Sequence, residues 1–216
     1  MVNRKAMKNF LATNLYGLTA EEYSRGRSNI ETVKLMLDAG IRVIQYREKS
    51  KTIRQMYGEC QLIRQMTQVA GASFIVNDHV DLALLVEADG VHIGQDDLPP
   101  EKVRRLIGPE LVLGLSTHSP KQAQQAAALG DTVDYIGVGP IFFTKTKKDV
   151  CHPVGLEYLD YVVGNIRLPL VAIGGIKESN AALVKQHGAR MVALVSEIVG
   201  AADIPEKVKA LRHLLT

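Results

Sequence analysis

Apolar runs rich in β-forming residues alternate with helix-period segments along the whole 216-residue chain. Short apolar runs bounded by turn residues indicate buried strands, whereas apolar spacing of three and four indicates amphipathic helices. We place eight strands on this basis, near Asn14–Leu18, Arg42–Tyr46, Ser73–Val76, Gly90–Ile93, Leu111–Leu115, Asp134–Val138, Leu170–Ile173 and Met191–Leu194. Eight alternating units within about 200 residues match the lower size limit of a (β/α)₈ barrel.

Capping residues mark the ends of the intervening helices. Ser28 and Glu31 have the spacing of a capping box, and Ser119 precedes a proline and then a glutamine in the same way. A third helix is predicted from about Thr52 to Gly71, with one apolar face made of Ile53, Met56, Cys60 and Ile63. A left-handed glycine often ends a helix, and four predicted helix-to-strand junctions carry one, at Gly40, Gly90, Gly130 and Gly188.

The pattern therefore predicts an α/β fold, with a single TIM-barrel domain over residues 1–216 and an N-terminal extension at residues 1–13. A doubly wound sheet would normally have fewer strands and a glycine-rich fingerprint after the first strand. The residues after the first predicted strand, up to Thr19, offer no such fingerprint.

Composition narrows the class of function. The chain is 46% hydrophobic and 23% charged, as expected for one globular domain. No run of about 18 apolar residues occurs, which argues against a membrane span. The basic N-terminus lacks a long apolar stretch, so we expect a frayed cytoplasmic start. A net charge of +3 is too small to indicate nucleic acid, and two cysteines make no disulfide framework.

Polar residues that look out of place follow the predicted strands. They comprise Gln45, Arg47 and Lys49, then Asn77 and Asp78, then Gln95 to Asp97, then Ser116 to His118, then 139–147, then Gly174 and Gly175, and finally Ser196. In a parallel barrel these strand ends share one face, which is where active sites are built. The sequence thus predicts an active site at the mouth of the barrel.

The chemistry of these residues indicates anions and a cation. Gln45, Arg47 and Lys49 alternate, so they can point the same way and bind a phosphate or diphosphate. Asp78 and Asp97 are either paired with these bases or hold Mg²⁺, which prefers one or two carboxylates plus substrate phosphate oxygens. Asp97 has a second interpretation, as the cap of a helix that begins around Pro99 and Pro100.

Two later segments also fit phosphate binding. The stretch 139–149 has the composition of a lid, with hydroxyls and lysines and few residues to anchor it. Gly174 and Gly175, paired with Ser196 after the eighth strand, have the pattern of a barrel phosphate cradle. The six histidines show no metal-ligand spacing, so zinc is not expected. The residues alone indicate a barrel enzyme with two phosphate zones and a divalent cation, but they do not name its substrates.

At these positions the sequence resembles the thiamine phosphate synthase family, also called thiamine-phosphate pyrophosphorylase. The similarity covers about Leu15 to Ser196 and follows the family's motif order. It rests on Gln45-x-Arg47-x-Lys49, Asn77-Asp78, the stretch Gly90 to Asp97, Gly114-Leu-Ser116, the loop Gly139 to Asp149, and Ala172 to Ile176.

The resemblance implies a transferase that condenses 4-amino-2-methyl-5-(diphosphooxymethyl)pyrimidine with thiazole phosphate, giving thiamine phosphate and pyrophosphate by a dissociative, carbocation-type substitution. Arg47, Lys49, Ser116 and Lys147 would be catalytic. The pyrimidine diphosphate would be held by Gln45, Arg47, Lys49, Asn77, Ser116 and Lys147, and the thiazole phosphate by Thr144, Thr146, Gly175, Val195 and Ser196. Asp78 and Asp97 would bind Mg²⁺. The partners are small phosphorylated molecules, and the family implies a homodimer.

Three departures from the family pattern occur, at Ala20, Tyr46 and His79, and none removes a proposed ligand. The main alternative function is that of a thiazole tautomerase of the same family, in which His118 would transfer a proton on the thiazole phosphate. A tautomerase needs neither carboxylates that bind a metal nor basic residues that bind a diphosphate. A third possible function is that of a non-catalytic phosphate-binding barrel. Such a protein should have lost the charged catalytic residues, which this chain retains.

Overall fold

The computed structural model describes residues 6–146 and 152–216. Eight parallel strands pair in sequence order and close into a barrel, which confirms the predicted fold. The strands are β1 (Leu15–Leu18), β2 (Val43–Tyr46), β3 (Ser73–Asn77), β4 (Gly90–Ile93), β5 (Val112–Thr117), β6 (Tyr135–Val138), β7 (Leu170–Ile173) and β8 (Val192–Leu194). Each lies within about two residues of its predicted position.

One helix precedes the first strand, and the helices that follow β1 separate the strands and form the outer layer. They are α1 (Met7–Ala12), α2 (Asn29–Asp38), α3 (Ile53–Val69), α4 (Val80–Leu85), α5 (Pro100–Ile107), α6 (Pro120–Ala128), α7 (Gly155–Asn165), α8 (Glu178–Gln186), α9 (Ser196–Val199) and α10 (Ile204–Leu215). Ser28 forms the predicted capping box with Glu31, and Ser119 caps α6. Among the described residues, no helix is both long and apolar enough to cross a membrane.

Two details of the helix prediction are wrong. Ile53 is 49% exposed instead of lying on the buried face of α3; it is the first residue of that helix, and the buried face begins one turn later at Met56. Gly90 lies inside β4 and does not end a helix, unlike Gly40, Gly130 and Gly188, which have positive φ. A Cβ on Gly90 would come within 2.4 Å of the Val112 carbonyl oxygen, so close strand packing explains this glycine.

The barrel has two apolar cores. The larger core lies between the strands and the outer helices, and it follows from helix faces packing on strand residues that point outward. The smaller core fills the lower part of the barrel interior and includes Tyr16, Val43, Ile75, Val112 and Tyr135. Residues two positions further along the same strands, such as Gln45 and Asn77, face the interior above this core. The alternation therefore carries polar side chains to the mouth.

The N-terminal segment closes the opposite end of the barrel. Met7 and Phe10 of α1 are each only 6% exposed, and the Phe10 ring lies 4.7 Å from that of Tyr135 and 5.5 Å from that of Tyr16. Asn9 also donates to the Gly71 carbonyl and the Ser73 hydroxyl. The expectation of a frayed start is therefore wrong for residues 7–12, because this helix has an apolar face that seals the barrel floor.

Candidate active site

A cavity of about 830 Å³ opens at the carboxyl ends of the strands. Its lining includes every described residue that the sequence assigned to the site, namely Gln45, Arg47, Lys49, Asn77, Asp78, Asp97, Ser116, Thr144, Thr146, Gly175, Val195 and Ser196. Lys147, the remaining predicted residue, lies outside the described residues. The structure thus brings side chains from across the sequence to one mouth.

The basic side of the mouth is built on β2 and braced by β1. Thr19 clamps the Arg47 backbone, with its hydroxyl donating to the Arg47 carbonyl at 3.0 Å and accepting from the Arg47 amide at 2.8 Å. One guanidinium nitrogen of Arg47 lies 3.4 Å from the Thr146 carbonyl, a long contact that leaves most of its donors for a ligand. Gln45 is 3% exposed and donates to the Tyr16 hydroxyl at 2.8 Å.

The acidic side lies at the ends of β3 and β4. Lys49 donates to the Asp78 carboxylate at 2.6 Å, so these residues form an ion pair across neighbouring strand ends. Asp78 has a φ of 61°, a left-handed conformation that is costly for a residue other than glycine. Such strain often accompanies functional positions, and Asp78 lines the cavity.

Asp97 accepts a hydrogen bond from the Gly94 amide at 2.6 Å and thereby closes its own loop. Helix α5 instead begins after Pro99 without a side-chain cap, so the interpretation of Asp97 as a helix cap is wrong. The donor set of two carboxylates beside a cavity lined by bases fits Mg²⁺, which takes few protein ligands and completes its shell with phosphate oxygens and water. No group of three or more His, Cys, Asp or Glu that could hold a metal is found within the described residues.

The described part of the loop after β6 is held by several contacts. The Ile141 and Phe142 amides donate to the carbonyls of Ile173 and Gly174, both at 2.9 Å. The Tyr23 hydroxyl donates to the Lys145 carbonyl at 2.9 Å, and the Thr144 and Thr146 hydroxyls are 2.9 Å apart. The expectation that few residues anchor this loop is therefore wrong for 139–146, because the turns after β1 and β7 both hold it.

The predicted phosphate cradle lies beside that loop. Gly174 and Gly175 both have positive φ, and a Cβ on Gly175 would come within 2.5 Å of the Phe143 carbonyl. Glycine is therefore required here by the loop as well as by the turn. Val195 and Ser196 follow on the neighbouring strand β8, where the short helix α9 begins. Two glycines and the backbone amides at the start of a helix suit a phosphate group.

Three histidines near the strand ends have defined contacts. His118 lines the cavity, and its Nδ1 lies 2.5 Å from the Gly139 carbonyl, so it orients the start of the loop after β6. His92 was missed by the sequence argument. Its Nε2 lies 2.9 Å from the Ser116 hydroxyl and its Nδ1 2.9 Å from the Tyr135 hydroxyl. The hint available in the sequence was a histidine inside an otherwise apolar strand. His79, the departure beside Asp78, does not line the cavity and lies 4.0 Å from Asp81.

Two tyrosines below the mouth were also missed, because aromatic residues in strands usually serve packing. Burial raises the pKa of Tyr16, although its hydrogen bonds with Tyr135 and Gln45 oppose that rise. Burial likewise raises the pKa of Tyr135, and the nearby Tyr16 adds to it. Both phenols therefore keep their protons and act as neutral hydrogen-bonding groups.

The fold and the site agree with comparisons to known proteins. A family model described as thiamine monophosphate synthase matches residues 15–198, which include all eight strands. The thiamine-phosphate synthase of Pelotomaculum thermopropionicum is 64% identical over 216 residues, covering 100% of this chain and 98% of that protein. The one from Lawsonia intracellularis is 58% identical, covering 95% and 94%. The solved thiamine phosphate pyrophosphorylase from Pyrococcus furiosus is similar with a TM-score of 0.84 and 36% identity, covering 94% of this chain and 95% of that one.

Proposed function

The chain belongs to the thiamine monophosphate synthase family, and we propose that its barrel mouth joins the aminopyrimidine diphosphate to thiazole phosphate, releasing pyrophosphate. The enzyme is a transferase. The observation that carries the proposal is the convergence of Gln45, Arg47, Lys49, Asp78 and Asp97 on one cavity of about 830 Å³. A clamp for a leaving diphosphate needs cations and metal-binding carboxylates together.

The first step is departure of diphosphate from the methylene carbon of the pyrimidine. The carbon–oxygen bond breaks with both electrons going to the oxygen, which leaves a cation delocalised into the amino-substituted ring. Arg47 and Lys49 stabilise the negative charge that grows on the leaving oxygens, and Lys147 joins them. Asp78 and Asp97 would hold Mg²⁺, which neutralises diphosphate oxygens when it is bound.

The second step is capture of the cation by the thiazole nitrogen. Its lone pair forms the new carbon–nitrogen bond, so the nucleophile needs no general base. Thr144, Thr146, Gly175, Val195 and Ser196 would position the thiazole phosphate on the other side of the mouth, and that proximity supplies much of the rate. The loop over Thr144–Lys148 would limit access of water, which otherwise hydrolyses the cation.

Two geometric observations disfavour the tautomerase alternative. His118 is engaged by the Gly139 carbonyl at 2.5 Å, as a residue that orients a loop would be. The diphosphate clamp and both carboxylates line the cavity, although a tautomerase would not need them. We further propose a cytoplasmic location and a homodimer, for which the family resemblance is the support.

The test is pyrophosphate release from purified protein given both substrates, with and without Mg²⁺. We expect release only when both substrates and the metal are present, with thiamine phosphate as the product. Asp97→Ala should lower the rate at least about 100-fold, since it removes one of the two carboxylates that would hold Mg²⁺ at the leaving diphosphate. Asp96→Ala is the matched control, because Asp96 lines the same loop but is assigned no role. Isomerisation of the thiazole phosphate without pyrophosphate release would instead support the tautomerase.

A further inference from the structure

A chain of hydrogen bonds crosses the barrel interior just below the mouth. The Gln45 amide nitrogen donates to the Tyr16 oxygen at 2.8 Å, and the Tyr16 and Tyr135 oxygens are 3.0 Å apart. The Tyr135 oxygen lies 2.9 Å from His92 Nδ1, and His92 Nε2 lies 2.9 Å from the Ser116 oxygen. The chain therefore joins two substrate-facing residues, one on β2 and one on β5, through three residues that the reaction itself does not use.

The surroundings make room for this chain. A Cβ on Gly114 of β5 would come within 2.2 Å of the Tyr135 ring and 2.4 Å of His92 Nδ1, so only glycine lets the two rings meet there. Tyr16 is 2% exposed and Tyr135 is 0% exposed. Phe10, which seals the floor of the barrel, packs against both phenol rings from below. Water cannot substitute readily for these partners, so each bond depends on its neighbours.

The direction of the bonds follows from proton counting. Each phenol carries one proton, and an unpaired buried donor is costly. The Tyr16 oxygen accepts a proton from Gln45, and the Tyr135 oxygen is the acceptor that lies within reach of the Tyr16 proton, so pairing this buried proton directs it at Tyr135. Tyr135 in turn donates to His92 Nδ1, so the histidine proton is on Nε2 and is donated to the Ser116 oxygen. This leaves the Ser116 proton and the Gln45 carbonyl oxygen available at the mouth.

We propose that the relay formed by Tyr16, Tyr135 and His92 couples Gln45 to Ser116. With the hydrogen bonds in the direction given above, Ser116 is a donor and Gln45 an acceptor toward the substrate. If every hydrogen bond of the relay were reversed, Ser116 would become the acceptor and Gln45 the donor. The three relay residues are positioning residues, because they act through the two ends. The inference rests on the proposed function for the identity of the substrate, but the relay itself exists in the free enzyme. Its direction can therefore be measured without any turnover.

The first experiment measures the His92 tautomer in the free enzyme. Protein labelled with ¹⁵N-histidine is examined by NMR at about pH 9, where an ordinary imidazole is neutral, and the His92 signals are assigned with His92→Gln. We expect the Nε2-protonated tautomer in the natural protein and a mixture of tautomers in Tyr135→Phe, which removes the donor to Nδ1. A proton on Nδ1 in the natural protein, or an unchanged spectrum in Tyr135→Phe, would overturn the direction of the relay.

The second experiment measures coupling between the ends by titrating the aminopyrimidine diphosphate calorimetrically. Gln45→Met, Ser116→Ala and the double variant are compared in two backgrounds, the natural protein and Tyr135→Phe. With the relay intact, the effects on Kd should depart from simple multiplication by about tenfold, and in Tyr135→Phe they should multiply within about twofold. Coupling that persists in Tyr135→Phe, or multiplication in both backgrounds, contradicts the proposal.

Tyr158→Phe is the matched control background. Tyr158 is 5% exposed and donates to the Thr117 hydroxyl at 2.7 Å, next to Ser116 on β5 but outside the relay. The tenfold coupling should survive in it, and its loss there would mean that any buried tyrosine change breaks the coupling. Failure of the natural protein to bind the aminopyrimidine diphosphate would count against the proposed function, whereas normal binding without coupling would count against the relay alone.

Discussion

Each end of the barrel has a cavity lined by basic residues, but the arginines at the two ends have different hydrogen-bond partners. A cavity of about 1030 Å³ lies at the amino ends of the strands, beside α1, and it is larger than the mouth cavity of about 830 Å³. Its described lining contains four arginines and no carboxylate, and none of the predicted site residues. Cavity size therefore does not identify the site here.

The difference lies in where the arginine donors point. At the base, Arg42 donates to the carbonyls of Leu37 and Ile41, and Arg212 donates to the Ala39 carbonyl. These carbonyls lie at or just beyond the carboxyl end of α2, where cations stabilise a helix. Burial lowers the pKa of Arg212, and nearby Arg42 adds to that effect. At the mouth, Arg47 makes one long side-chain contact with the described residues, which leaves its other donors for a ligand.

The largest expected effect compares two arginines that flank β2. Arg47→Ala should lower kcat/KM about 10³-fold, equivalent to about 4 kcal/mol, because it removes a charged fork from the leaving diphosphate. Arg42→Ala should leave kcat/KM within about threefold and lower the free energy of unfolding by about 1 kcal/mol. Steady-state kinetics and chemical denaturation of both variants are the measurements. Similar losses of activity in the two would mean that the base also serves the reaction.

This contrast also shows how much of the site the sequence could predict. Strand periodicity places Gln45, Arg47 and Lys49 on one side of β2, and the closed barrel confirms the common mouth to which they point. Sequence could not show that Lys49 pairs with Asp78 or that Thr19 clamps Arg47, because these contacts join different strands. A sequence pattern reports which face a residue occupies, but a pairing between neighbouring strand ends depends on the register of the two strands.

The N-terminal helix α1 is another feature that the sequence pattern alone could not predict. Residues 7–12 are too few to form a stable helix alone, so a frayed segment is the natural expectation. What orders them is the floor of a barrel that exists only after closure, where Phe10 meets Tyr16 and Tyr135. Likewise the contacts of His92 are seen only when Gly114 and Ser116 of the next strand are placed beside it.

The second prediction tests the base as a stability element. Phe10→Ala should lower the free energy of unfolding by about 3 kcal/mol, since it empties a buried aromatic site. For a chain of this size that corresponds to a fall in Tm of about 6–12 °C, measurable by calorimetry. Leu11→Ala is the matched control, because Leu11 is on the same helix but 73% exposed, and it should change Tm by no more than about 2 °C.

We expect Phe10→Ala to change catalytic activity far less than it changes stability. At a temperature where Phe10→Ala remains folded, its kcat/KM should stay within about threefold of the natural protein, because α1 does not reach the mouth lining. A loss of more than about tenfold would show that the floor is coupled to the site, through the tyrosines it supports. That result would weaken the separation of the two ends.

The smallest expected effect concerns the loop that partly covers the mouth. The Tyr23 hydroxyl donates to the Lys145 carbonyl at 2.9 Å and so ties the turn after β1 to the described part of that loop. Tyr23→Phe removes this bond, worth about 1 kcal/mol, while keeping the ring. We expect KM for thiazole phosphate to rise about 3–5-fold with kcat changed less than twofold, because Thr144 and Thr146 spend less time in the position that binds the phosphate.

Tyr57→Phe is the control, since the Tyr57 hydroxyl accepts a hydrogen bond from Gln61 on the surface of α3, away from the mouth. A fall in kcat with KM unchanged would mean that the hydrogen bond acts in the reacting complex and not in substrate binding. The loop would then contribute to the chemical step at the mouth, and not only to the entry of substrate.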